Sequence, residues 1–195
     1  MIEVLKNYKE LSSTVADIVE KQLKKQSLSK LILPTGSTPL GMYEELVKRK
    51  LDWSHTITFN LDVYLMNVKH PESYQSYMST NLFDKTNVYP DHCHFPFRPT
   101  SAFEDKITES MGIDLCILGI GSNGHIAFNE PGSSFEISNI SNNSPLLCNS
   151  MVISAPPINF PFTNNWGIVG QPECSESLTR IIGSARIFTS LYSTP

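Results

Sequence analysis

Asp62, Asn123, His125 and Glu130 are the side chains of this sequence best suited to moving protons, and the last three sit close together in the chain. An imidazole titrates near neutral pH, and a polar neighbour fixes its tautomer, so His125 beside Asn123 and Glu130 suits general acid/base work. Taken alone, a histidine after a glycine-rich turn is more often a hydrogen-bonded structural residue. Its neighbours, and a second loop of similar kind earlier in the chain, raise its standing. Asp62 lies just past a β-branched and aromatic stretch at 56–60, where a carboxylate is either a proton carrier or a simple turn residue. The earlier loop brings Thr35, Gly36, Ser37 and Thr38 directly before Pro39. Proline suits the first helical position, so this loop delivers backbone N–H groups and three hydroxyls to a helix N-terminus, which favours anions. An unliganded helix cap explains these four residues equally well on their own.

These groups need elements to hold them. Residues 113–118 form a short, almost continuous apolar run closed by Gly119, the pattern of a parallel strand covered on both faces. Gly119, Gly121 and Gly124 then let the backbone turn and approach a ligand at the strand's C-terminal end, the edge where open α/β sheets bind ligands. The same glycines spell G-x-G-x-x-G. A dinucleotide site, however, needs a helix directly after the last glycine and an acid about 20 residues on, whereas Pro131 and Gly132 cut such a helix short and no acid follows at that distance. Further strands are expected at 30–33 and 56–60. Asn7, with Glu10 three residues on, caps a helix carrying Leu11, Val15, Ile18, Val19 and Leu23 at helical spacing. A second helix starts near Pro39 and turns Tyr43, Leu46 and Val47 inward; a third opens at Pro71 with Tyr74, Tyr77, Met78 and Leu82 on one face, an aromatic stripe that reads as core packing. The sum is an α/β fold, an open and mostly parallel sheet with helices on both faces.

The chain has 195 residues and a formal net charge of −4 with acids and bases interspersed, so nucleic-acid and anionic-membrane partners are not expected. Cys93, Cys116, Cys148 and Cys174 show no C-x-x-C spacing, and no apolar run is long enough to span a membrane. The N-terminus lacks the apolar segment of a signal peptide. A soluble, cytoplasmic protein with reduced thiols is the expectation. The alternating His92 and His94 around Cys93 lack further ligands of suitable spacing, so no metal is assigned.

Four ordered motifs carry a family resemblance: LPTGSTPLG at 33–41, TFNLD at 58–62, HPESY at 70–74, and LGIGSNG followed by HIAFNEP at 118–131. Together they closely resemble glucosamine-6-phosphate deaminase, along a stretch from about the N-terminus to residue 135. The resemblance implies a Rossmann-like fold, a sugar-phosphate substrate, no metal or organic cofactor, and room for a homo-oligomer. It implies isomerisation and deamination of glucosamine 6-phosphate to fructose 6-phosphate and ammonia. It also implies phosphate binding by Thr35, Gly36, Ser37 and Thr38, a substrate loop at Gly121 and Gly124, Asp62 as the C2–C1 proton carrier, and His125, oriented by Asn123 and Glu130, as the ring-opening shuttle. The family's acid after Asp62 is replaced here by Val63, and its frequent Asp is replaced by Asn123; an amide orients His125 but supplies no full charge to an imidazolium. Two other readings accompany this one, a 6-phosphogluconolactonase-like hydrolase and a sugar-phosphate-binding remnant without turnover.

Beyond residue 135 the sequence changes character. Residues 1–135 read as the sugar-phosphate domain, and 136–195 as a divergent or frameshifted tail of the same domain, leaving the sheet incomplete at its C-terminal end. Ser, Asn and Pro dominate 137–161 without a clear period, and Arg180 and Arg186 are the only Lys or Arg residues after Lys106. Short strands at 152–154 and 166–169, and a strand pair or helix at 178–188, are the elements this region offers.

Overall fold

The computed structural model describes residues 2–61, 63, 67, 70–97, 100–119, 151–155 and 186–190. Seven parallel strands form one sheet: β1 (Ile2–Leu5), β2 (Lys30–Leu33), β3 (Ile57–Asn60), β4 (Cys93–His94), β5 (Leu115–Gly119), β6 (Met151–Ala155) and β7 (Arg186–Ser190), in the order β1-β7-β6-β5-β2-β3-β4. The expectation of a mostly parallel sheet holds, and the tail takes part in it, with β6 and β7 lying between β5 and β1.

The central strands β2 and β5 form where apolar residues run together. Leu31, Ile32 and Leu33 of β2 are all buried, as are Leu115 to Leu118 of β5, which is what a central parallel strand requires with both faces covered. Because successive side chains alternate, Leu31, Leu33, Leu115 and Ile117 join one core with Leu11, Val15, Ala16 and Val19 of α1 (Tyr8–Lys25) and Met42, Tyr43 and Leu46 of α2 (Leu40–Lys48). Phe59, paired across the ladder with Ile32, faces the other way and meets Phe103 of α4 (Thr100–Glu109), ring centroids 5.8 Å apart. Helices therefore cover both faces.

Local signals set the helix starts. Asn7 caps α1, its Oδ1 accepting Glu10 N–H at 2.9 Å, while Glu10 Oε2 accepts Lys6 N–H at 2.9 Å. The cap is the one that the Asn7 and Glu10 spacing predicts, with the Glu10 carboxylate reaching one residue further back than in the reciprocal box, to Lys6. The third helix differs from expectation. It runs as α3 (Tyr74–Asn81) from a Ser73 cap, Ser73 Oγ accepting Ser76 N–H at 3.1 Å, and Pro71 stays in the preceding turn. The capping hydroxyl satisfies an otherwise orphan N–H, which Pro71 has no side chain to do.

Chain order fixes where a ligand fits. From β2 the chain proceeds to β3 and β4 on one side, whereas β5, β6 and β7 build outward on the other. The segments leaving neighbouring β2 and β5 therefore diverge, making a topological switch point at the C-terminal edge, where open α/β sheets hold ligands.

Candidate functional site

The loop that leaves β2 at this switch point contains Thr35, Gly36, Ser37 and Thr38. Gly36 has φ +107°, with nothing within 4 Å of where a Cβ would sit. Glycine is required there by backbone conformation, not by space. Gly36 and Ser37 are exposed, Thr35 and Thr38 half-buried, and Pro34 and Pro39 are buried at either end. No side chain caps the start of α2 through Pro39.

Three phenols hold the carbonyls of this loop. Tyr43, fully buried in α2, donates to Pro34 O at 2.5 Å. Tyr77 of α3 donates to Gly36 O at 2.5 Å. Tyr8, the first residue of α1, donates its hydroxyl hydrogen to Thr38 O at 2.9 Å, with Ser37 O at 3.3 Å, and its oxygen accepts Gly41 N–H at 2.8 Å. Burial pushes the Tyr43 and Tyr77 phenols well above their ordinary pKa, so both remain donors across the physiological range. Tyr43 and Tyr77 also meet edge to face, with centroids 6.3 Å apart. Gly41 allows the approach of α1 to α2: a Cβ there would stand 2.3 Å from Ser12 Oγ and 3.0 Å from Tyr8 Cε1.

Beside this loop, Asn60 ends β3 almost wholly buried, and its Nδ2 donates to Leu33 O at 2.9 Å, tying together the last residues of β2 and β3. Its Oδ1 has no hydrogen-bond partner among the described residues. Asp62 follows two positions later but lies outside the described residues, as do Gly121, Asn123, Gly124, His125 and Glu130. The anchor of that second group is described: β5 ends at Gly119, beside β2.

At 91–94, His94 lies tilted against Phe59 with centroids 5.1 Å apart, and burial lowers its pKa, with Lys106 and His92 adding to the effect. Among the described residues no three His, Cys, Asp or Glu side chains are placed to hold a metal ion.

Tyr8, Tyr43, Tyr77 and Asn60 are contacts that residue types alone did not single out. The signal was present in the tyrosines, since a buried phenol must find an acceptor. Its acceptors, however, lie 9 to 41 residues away in sequence.

Residues 6–138 match the family described as glucosamine-6-phosphate isomerases/6-phosphogluconolactonase. A glucosamine-6-phosphate deaminase of Thermoanaerobacter sp. (strain X514) is 44% identical over 142 residues, covering 67% of this chain and 56% of that protein. Glucosamine-6-phosphate deaminase 2 of Bacillus subtilis (strain 168) is 42% identical over 147 residues, covering 69% and 59%. The chain thus spans less than two thirds of the length of these relatives. In fold it is similar to a monomeric glucosamine-6-phosphate deaminase (TM-score 0.74, 21% identity, 97% and 96% of the two chains). A 6-phosphogluconolactonase from Plasmodium vivax is close behind (TM-score 0.73, 16% identity, 99% and 90%). The matched segment contains the loop after β2, the segment after β3 and the glycine-rich stretch after β5, the three segments that leave the sheet at or beside its switch point. On that match, over more than half of its length, the chain belongs to the glucosamine-6-phosphate isomerase/6-phosphogluconolactonase family.

Proposed function

We propose that this chain is a glucosamine-6-phosphate deaminase, converting glucosamine 6-phosphate and water to fructose 6-phosphate and ammonia in cytoplasmic amino-sugar catabolism. The observation that carries the reading is the coincidence of the switch point between β2 and β5 with the segment matched by curated deaminases. The substrate phosphate sits on Thr35, Gly36, Ser37 and Thr38 at the start of α2, where exposed N–H groups and the helix dipole favour an anion. Gly121 and Gly124 let the loop after β5 close over the sugar. His125, oriented by Asn123 and Glu130, moves the ring-opening proton between the anomeric hydroxyl and the ring oxygen. Asp62 then takes the C2 proton and returns it to C1. This leaves an imine at C2, which adds water and expels ammonia. Each step asks only for proton transfer and water, the work of a carboxylate and an imidazole. The Cys93 thiol, in no disulfide among the described residues, agrees with a reducing compartment, and no helix among the described residues is long and apolar enough to cross a membrane.

The deciding experiment measures ammonia release from glucosamine 6-phosphate, with Asp62→Asn as the paired variant. The expected result is release by the parent chain, and loss in the variant of both release and solvent-hydrogen exchange at the sugar. Exchange at the parental rate in Asp62→Asn removes Asp62 from its role. The family description and the fold likeness to 6-phosphogluconolactonases favour one second reading, lactone hydrolysis on the same phosphate loop. Hydrolysis of 6-phosphogluconolactone without ammonia release would select it.

A further inference from the structure

We propose that Tyr8 and Tyr77 are positioning residues for the substrate phosphate, turning the N–H groups of the 35–38 loop outward by fixing its carbonyls. This rests on the reading of that loop as the phosphate site.

A trans peptide is planar, with its C=O and N–H pointing in opposite directions. A donor that captures the carbonyl of one residue therefore sets the direction of the next residue's N–H. Tyr77 holds Gly36 O at 2.5 Å, so the Ser37 N–H points away from α3. Tyr8 lies within 3.3 Å of Ser37 O, on the side opposite to the Thr38 N–H, while its shorter bond, 2.9 Å to Thr38 O, anchors the peptide before Pro39, which has no N–H to turn. Tyr43 does the same from the core, holding Pro34 O and turning the Thr35 N–H the other way. The N–H groups of Thr35, Gly36, Ser37 and Thr38 meet no acceptor among the described residues. The carbonyls of Pro34, Gly36, Ser37 and Thr38, which would repel an anion, are instead approached by phenols from three different helices. Tyr8 adds a second effect: by accepting the Gly41 N–H it satisfies a first-turn donor of α2. Of the three, Tyr43 is a core residue whose loss would damage packing, whereas Tyr8 and Tyr77 are only half-buried and lose little but a hydroxyl on substitution by Phe.

The test uses the full chain with Tyr77→Phe and Tyr8→Phe, read by inorganic phosphate binding in calorimetry and by KM and kcat for glucosamine 6-phosphate. Each variant is expected to weaken phosphate binding and raise KM about tenfold, equivalent to about 1.4 kcal/mol, with kcat within about twofold of the parent. A loss confined to thermal stability, with phosphate bound at parental affinity, would make the phenols structural only and overturn the proposal. So would a fall in kcat at unchanged KM, or a parent chain that binds no phosphate at 10 mM, a ceiling of about −2.7 kcal/mol in binding. A parent chain that releases no ammonia yet binds phosphate in a tyrosine-dependent way keeps this inference and removes the deaminase reading instead. If one variant fails to fold, the other decides alone.

Discussion

Gly36 and Asp52 make the most direct demands at the scale of the single residue. With φ at +107° and open space around it, Gly36→Ala meets no clash but forces an L-residue into a conformation costing on the order of 1–3 kcal/mol. The loop is expected to relax by turning its peptides, so phosphate affinity should fall more than thermal stability. A variant that melts earlier but binds phosphate as before would contradict this. Asp52 accepts Ser54 N–H at 3.0 Å and Asn87 Nδ2 at 2.8 Å, and Asn87 Oδ1 in turn accepts Trp53 N–H at 2.7 Å. The bonds from Ser54 and Asn87 hold the Asp52 carboxyl at a pKa of about 2 against an ordinary 3.8. Because the folded value is depressed, the stabilisation is complete above the unfolded pKa and disappears as pH falls through the folded one. Urea midpoints between pH 4 and pH 2, the window between those two values, should therefore decline less steeply in Asp52→Asn than in the parent, and equal slopes would remove the carboxylate from the account. Asp52 is not singled out by residue type, and Gly36 is singled out only as a member of its loop. A glycine in a loop and an aspartate before a tryptophan are commonplace, and only the backbone angle and the partners distinguish them.

Among the elements, the contact between α1 and α2 is the most specific. Arg49, just past α2, reaches back to α1: its guanidinium lies 2.7 Å from both Asp17 and Glu20, and it donates to Ser13 O at 3.2 Å. Arg49→Ala is expected to cost about 1–2 kcal/mol, more than an isolated surface pair because the head group is mostly buried and contacts three residues of α1. Gly41→Ala acts on the same seam by overpacking, which typically costs about 1–3 kcal/mol. Since the nearest obstacle is Ser12 Oγ, adding Ser12→Ala should return part of that loss; additive destabilisation in the double variant would place the strain elsewhere. Elements with strong local signals were legible beforehand. β2 and β5 read as apolar runs, β3 as a β-branched and aromatic stretch, and α1 as a capped amphipathic helix. The start of α3 was misplaced because Pro71 and Ser73 both carry starting signals and only Ser73 supplies the capping oxygen. β1 was not foreseen, since Ile2–Leu5 is short and interrupted by Glu3 and becomes a strand only through its partner β7.

For the whole molecule, the decisive feature is where β6 and β7 lie. Residues 152–154 and part of 178–188 stood among the strand options of the tail, yet nothing in their Ser-, Asn- and Pro-rich surroundings gave their order in the sheet. Pairing across more than thirty residues is a property of the folded chain, and period alone does not encode it. The order β1-β7-β6-β5 makes the tail internal to the fold: β7 pairs with β1 on one side and β6 on the other, and β6 pairs with β5. α1 also rests partly on β6 and β7. Removing residues 136–195 would therefore separate β1 from the sheet, expose the unpaired backbone edge of β5, and withdraw support from the helix that carries Tyr8 to the 35–38 loop. An unpaired, apolar parallel strand is an aggregation edge. The 1–135 fragment is accordingly expected to be insoluble or to unfold without a cooperative transition, and to bind no phosphate, whereas the full chain unfolds in one step. Urea unfolding followed by far-UV circular dichroism, on both chains under identical conditions, distinguishes the outcomes. A fragment with a sharp transition and parental phosphate affinity would show that β2, β3, β4 and β5 form a self-sufficient sheet and that the tail only decorates it.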